Sequence, residues 1–176
     1  LDSLAKDDEI INKIDQLAKK CCNAHTNGGK IIFAGNGGSA ADSQHLVAEL
    51  VGRYNIDRDP IRAIALTCDT SVITAISNDY GYPNVFSRQF DAIADENDVY
   101  ITFSTSGKSQ NIIQSLKIAK EKKVYSVCFT GKILNNLDDI CDEVFRVNSK
   151  QTDRIQEIHI LLGHILCGLI ERYLFK

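Results

Sequence analysis

Lys30-Ile31-Ile32-Phe33-Ala34-Gly35-Asn36-Gly37-Gly38-Ser39 is the stretch that decides the fold. Ile31 to Ala34 form an unbroken apolar run, too short for a helix, and glycines stop it at once. That pattern predicts a short strand turning sharply into the helix that follows, through Leu50. A strand with no polar alternation is one covered on both faces, as in a parallel sheet.

The same grammar repeats outward from this point. Upstream, Ile10, Ile11, Ile14, Leu17, Ala18 and Cys21 recur at helical spacing over about residues 7–27, and Gly28-Gly29 supply a stop. Downstream, a strand over Ala63–Thr67 precedes a helix from Thr70 to Ile76. Val99–Phe103 is a third strand, followed by Ser104-Thr105-Ser106-Gly107 and a helix from about Ser109 to Glu121. Val124–Phe129 and Glu143–Val147 complete five strands, and a long helix spans about Thr152 to Leu174. No element is assigned between Ile76 and Val99. The prediction is an α/β fold, a doubly wound five-stranded parallel sheet flanked by helices, as a single domain over residues 1–176. Its sheet core covers about residues 30–147, with the first and last helices outside that core. The last helix is apolar round most of its circumference, which predicts burial, including against other subunits.

Ligands of such sheets bind beyond the carboxyl ends of the strands, where both glycine-bearing loops fall. With 176 residues and a net charge of -3, the chain offers no global basic field for nucleic acid or an anionic membrane. A phosphorylated small molecule stays possible, because backbone N–H groups and hydroxyls build anion sites locally. Six cysteines lack metal-like spacing, and Cys68 and Cys128, in strand-like runs, are expected to be buried free thiols. A reducing cytoplasm suits them better than a disulfide framework. The apolar runs are interrupted short of a membrane span, and no signal-peptide pattern opens the chain. Methionine is absent and residue 1 is Leu, so the natural start is expected upstream of it.

Three groups of residues could carry chemistry. Gly35-Asn36-Gly37-Gly38-Ser39 lets a ligand approach the backbone at a helix N-terminus, although glycines serve a tight turn equally well. Ser104-Thr105-Ser106-Gly107-Lys108-Ser109 presents four hydroxyls and a lysine, a set suited to phosphate; Ser109 alone could be the cap of its helix. His45 and Glu49 share one helix face and could hold a metal or an acid/base pair, although such a pair is common on plain surfaces. Gln156 and His164 stand eight apart in the last helix, about 12 Å along the axis, so one ligand meets both only if side chains converge or another subunit takes part. His159 and Glu157 are the competing polar residues, and a histidine embedded as His164 is in Ile160-Leu161-Leu162-Gly163-His164-Ile165-Leu166 is commonly a satisfied core residue.

Taken together, five stretches resemble the phosphoheptose isomerases of the sugar isomerase (SIS) family, from Gly28 to about Ile170. They are Gly35 to His45, Asp69-Thr70-Ser71, Ser77-Asn78-Asp79-Tyr80-Gly81, Ser104-Thr105-Ser106-Gly107, and Arg154 to Ile160. The resemblance implies a flavodoxin-like SIS fold and a homotetramer with active sites between subunits. It implies a Zn2+ site from His45, Glu49, Gln156 and His164, with Glu49 as base and His164 as acid. Asn36, Gly37, Gly38, Glu49, Asn78, Asp79 and Gln156 would contact substrate, and Ser104, Thr105, Ser106 and Ser109 would hold its phosphate. The first loop is then expected at the reacting end of a phosphorylated heptulose, and neither nucleic acid nor membrane is an expected partner. The implied reaction converts D-sedoheptulose 7-phosphate to D-glycero-D-manno-heptose 7-phosphate. A non-catalytic phosphosugar sensor or replication-initiator-associated adaptor is the rival within the same superfamily.

Overall fold

The computed structural model describes residues 7–132 and 136–176. Its sheet holds β1 (Ile31–Gly35), β2 (Ala63–Ala65), β3 (Val99–Ser104), β4 (Tyr125–Gly131) and β5 (Glu143–Val147), in the order β2-β1-β3-β4-β5. Every neighbouring pair is parallel, with Gly35 opposite Phe103 and Ser104 opposite Thr130. The expected doubly wound parallel sheet is what the chain forms.

Among the described residues, six α-helices surround it: α1 (Asp8–Thr26), α2 (Gly38–Val51), α3 (Thr70–Tyr80), α4 (Val85–Ile93), α5 (Gln110–Glu121) and α6 (Thr152–Phe175). Alternate residues of each strand point to opposite faces, and this divides the core in two. Ile31, Phe33, Ile101, Phe103 and Phe129 meet Leu17 of α1, Leu46 and Leu50 of α2, and Leu162 and Leu166 of α6. Ile32, Ala34, Tyr100 and Cys128 meet Phe86 and Phe90 of α4 and Ile112 and Leu116 of α5. Each such aliphatic or aromatic side chain contributes about 1.5–3 kcal/mol relative to an exposed one.

Several expectations change at this level. The first and last helices do not lie outside the core: α1 and α6 cover one face of the sheet, because their apolar stripes are what bury Phe103 and Phe129. α6 has the length, and a mean hydropathy of 1.4, to cross a bilayer. Here its buried stripe packs on the sheet, while Ile165 on its outer side is exposed. Cys68 is exposed rather than buried, since β2 ends at Ala65 and the chain has already turned outward. Cys128 is buried as expected, and burial pushes its thiol up to about 11. α4 has no counterpart in the sequence reading; it follows Gly81, which has φ +80°, and a short 3-10 turn at Tyr82–Asn84.

β1 and β3 are neighbours, yet the helices after them leave to opposite faces: α2 joins the first core and α5 the second. Their loops therefore part at the carboxyl edge and open a crevice there.

Candidate functional site

Two groups of polar side chains stand out, one across that crevice and one along the contact of α2 with α6.

At the crevice, Gly37 takes φ +57° at the N-cap of α2, a left-handed conformation open to glycine. A Cβ on Gly38 would lie 2.6 Å from Gln156 Nε2, so the absence of a side chain lets the start of α6 close on the first loop. Asn36 is half-buried and tied across the crevice: its Nδ2 donates to Asn111 Oδ1 at 2.9 Å, and Asn111 Nδ2 donates back to Asn36 Oδ1 at 2.8 Å. Tyr82 Oη donates to the same Asn36 oxygen at 2.8 Å. The first loop thus sits against the first turn of α5 and the hydroxyl loop.

In that second loop, Ser104 Oγ donates to Ser109 Oγ at 3.1 Å, and the Lys108 N–H donates to Ser106 Oγ at 3.2 Å. Ser109 occupies the N-cap of α5 but its hydroxyl makes no capping bond, so capping does not account for it. The Gly131 N–H holds the Thr105 carbonyl at 3.1 Å. Ser104 is buried and Thr105 and Ser109 are half-buried, whereas Ser106 and Lys108 are exposed. Hydroxyls and N–H groups gathered beside a helix N-terminus suit an anion. Asn78 and Asp79 bond each other at 2.8 Å near the exposed end of α3, just before the Tyr82 turn.

The second group lies along the flank where α2 meets α6, with His45 exposed and Glu49 and His164 half-buried. His45 Nε2 stands 2.8 Å from His164 Nε2 and 3.4 Å from Glu49 Oε1. One donor atom from each of the three lies within 4.8 Å of the others. Two imidazoles and a carboxylate converging this way fit a borderline-soft divalent cation such as zinc. The Tyr54 ring lies over His164, centroids 6.0 Å apart and planes 17° from parallel. Asp42, one turn before His45, has its carboxyl raised by burial, with the His45 charge opposing in part.

The frame around this cluster is a buried ion pair. Arg58 Nε meets Glu171 Oε2 at 3.4 Å, and both side chains are 2% exposed. Arg58 also donates to the carbonyls of Glu49, Leu50 and Gly52, closing the end of α2 where a helix carries partial negative charge. Glu171 accepts from the N–H groups of Tyr54 and Asn55, which holds the ring that covers His164.

Of the expected metal set, the structure brings His45, Glu49 and His164 together. Gln156 packs on Gly38, about two turns earlier along α6. Along α2, His45 lies about 10 Å from Gly38 at 1.5 Å per residue, so the imidazole cluster and the first loop sit at different heights. Tyr54, Arg58, Tyr82, Asn111 and Glu171 were not singled out in the sequence. The contacts that bring them into the site reach across 46 to 117 residues: Tyr54 and Arg58 to Glu171, Tyr82 and Asn111 to Asn36.

The comparisons with known proteins agree with this geometry. The SIS domain family model matches residues 4–131. A phosphoheptose isomerase of Aneurinibacillus thermoaerophilus is 47% identical over 175 residues, 99% of this chain and 88% of that protein. The structure of a phosphoheptose isomerase from Neisseria gonorrhoeae superposes with a TM-score of 0.84 at 40% identity, over 92% of this chain and 87% of that one. One from Francisella tularensis gives a TM-score of 0.86 at 35% identity, over 90% and 85% of the two chains.

Proposed function

The chain belongs to the SIS-domain family and, within it, to the phosphoheptose isomerases, and from that premise we propose that it interconverts D-sedoheptulose 7-phosphate and D-glycero-D-manno-heptose 7-phosphate at the start of bacterial ADP- or GDP-heptose synthesis. The convergence of His45, Glu49 and His164 from two helices is the observation that carries this reading. A phosphosugar sensor needs the hydroxyl loop but has no use for that set.

An aldose–ketose shift moves a proton between C1 and C2 through an enediol, and it needs a base at carbon and an acid at oxygen. Glu49 is the base, taking the proton from one carbon and returning it to the other. His164 gives and takes the proton at the carbonyl and hydroxyl oxygens, held in place by Tyr54 and His45. His45, Glu49 and His164 would hold a Zn2+ ion, with a Gln156 amide joining them from a second subunit, and the ion would supply polarisation of the carbonyl and charge stabilisation of the enediolate. Asn36, Gly37, Gly38, Asn78 and Asp79 hold the sugar, and Ser104, Thr105, Ser106 and Ser109 hold the phosphate.

The height difference between the imidazole cluster and the hydroxyl loop suits a site completed by a second subunit of a homotetramer, and His45, with 48% of its side chain exposed, is open to one. A cytoplasmic location fits free cysteines and a soluble phosphosugar.

A coupled assay against pentose, hexose and heptulose phosphates tests the whole reading. Turnover is expected with sedoheptulose 7-phosphate, lost on chelation and restored by zinc. Preference for a shorter ketose phosphate, or full activity after metal removal, would overturn the corresponding part.

A further inference from the structure

Asn36 has four hydrogen-bonding positions, two lone pairs on Oδ1 and two hydrogens on Nδ2. Both lone pairs are taken, one by Asn111 Nδ2 and one by the Tyr82 hydroxyl, each at 2.8 Å. One hydrogen goes to Asn111 Oδ1 at 2.9 Å. The second hydrogen on Nδ2 meets no partner among the described residues.

The direction of this network is set by a group that cannot reverse. The backbone N–H of Ile112 donates to Asn111 Oδ1 at 3.0 Å. An N–H only donates, so Asn111 must keep its oxygen toward the backbone and turn its NH2 toward Asn36. Reversing the Asn36 amide would then set two NH2 groups face to face. Asn111 is 3% exposed and anchored on the first turn of α5, so this orientation is built into the helix. Tyr82 reaches the same oxygen from the far side of the crevice, off the turn after Gly81.

We propose that Asn111 and Tyr82 are positioning residues that lock the Asn36 amide into one orientation, so that it meets the sugar phosphate as a hydrogen-bond donor and never as an acceptor. The ligand atom it takes is an oxygen with a lone pair to offer, from a hydroxyl, carbonyl or phosphate. This rests on the isomerase reading, and adds to it two residues that need not touch substrate and a fixed polarity for a third.

The test is a double-mutant cycle on kcat/KM with sedoheptulose 7-phosphate. Asn36→Ala removes the amide and is expected to lower kcat/KM about a hundredfold. Asn111→Asp keeps the acceptor for Ile112 but sets a carboxylate oxygen against Asn36 Oδ1, which removes the orientational lock and pushes the amide out of place; it is expected to lose about as much. Tyr82→Phe removes one neutral hydrogen bond, worth about fivefold. In the Asn36→Ala background neither change should lower kcat/KM further, because nothing is left to position. Residues with a merely structural role would multiply their losses, and that result overturns the proposal, as does wild-type kcat/KM in either folded single variant. Tyr82 is 53% exposed, so Tyr82→Phe keeps the test available should Asn111→Asp fail to fold. Failure of the isomerase reading shows separately, as a wild-type protein that does not turn the substrate over; in that event the proposal falls with it.

Discussion

His159 and His164 stand five residues apart on α6, about 140° round the helix, and the two environments could hardly differ more. His159 is fully buried, its ring 5.8 Å from that of Phe103 and 5.9 Å from that of Phe129. His164 is half-buried and meets His45 edge to face, with ring centroids 5.0 Å apart. Residue type says nothing about which histidine is chemical; phase does. Ile155, His159, Leu162, Leu166 and Ile170 are all buried and follow one helical stripe, so His159 is in register with the core. His164 is out of register with that stripe and faces α2.

The largest effect expected from this contrast comes from exchanging each imidazole in turn. His164→Gln should lower kcat by about a thousandfold, within the range of a lost general acid, while the melting temperature moves by only a few degrees. His159→Ala should do the reverse: about 2–4 kcal/mol of stability lost to a cavity, with kcat per folded molecule unchanged. Steady-state kinetics and thermal melts on the same two proteins decide it. An inactive but stable His159→Ala would break the division of roles.

The second effect is acid lability. Burial lowers His159 from 6.5 to about 4, with the Thr130 backbone opposing in part. The unfolded chain takes up this proton below about pH 6.5, whereas the folded chain resists it down to about 4. Stability from the neutral ring is therefore complete above pH 6.5 and is lost as pH falls toward 4, by about 3 kcal/mol in all. Urea titrations at steps through this window should show that slope in the wild type, and a flatter one in His159→Ala. Equal slopes would show that other groups dominate.

How much of this was legible in the sequence follows from how far each contact reaches. Strands were readable because Ile31 to Ala34 and Val99 to Phe103 are locally apolar runs, and the two loops because they end those runs. α4 was missed because Gly81 and Pro83 announce a loop, and the helix after them is only nine residues long. Phe86, Phe90 and Ile93 did carry helical spacing that could have found it. Cys68 was misplaced because the apolar run through Thr67 outlasts β2. His45 and Glu49 were visible as a pair on one helix, but their meeting with His164 spans 119 positions and depends on α2 and α6 packing side by side. The Arg58–Glu171 pair spans 113 positions, and neither residue has any local pattern to mark it.

The smallest effect concerns the ring stacked on His164. His159 is surrounded by core phenylalanines that would be there whatever the chemistry. Tyr54 over His164 is different: it is only partly buried, packed against the first core, its phenol is raised by that burial, and its backbone is held by Glu171. A stacked aromatic contact is worth about 0.5–1.5 kcal/mol beyond burial, so its loss should show as a few-fold change and not as inactivation. Tyr54→Leu is expected to lower kcat about three- to tenfold through a less well-oriented His164. Tyr54→Phe, which keeps the ring, should stay within about twofold of wild type. If Phe falls as far as Leu, the hydroxyl matters and Tyr54 belongs to the chemistry; if neither falls, His45 and the α2 contact hold His164 alone.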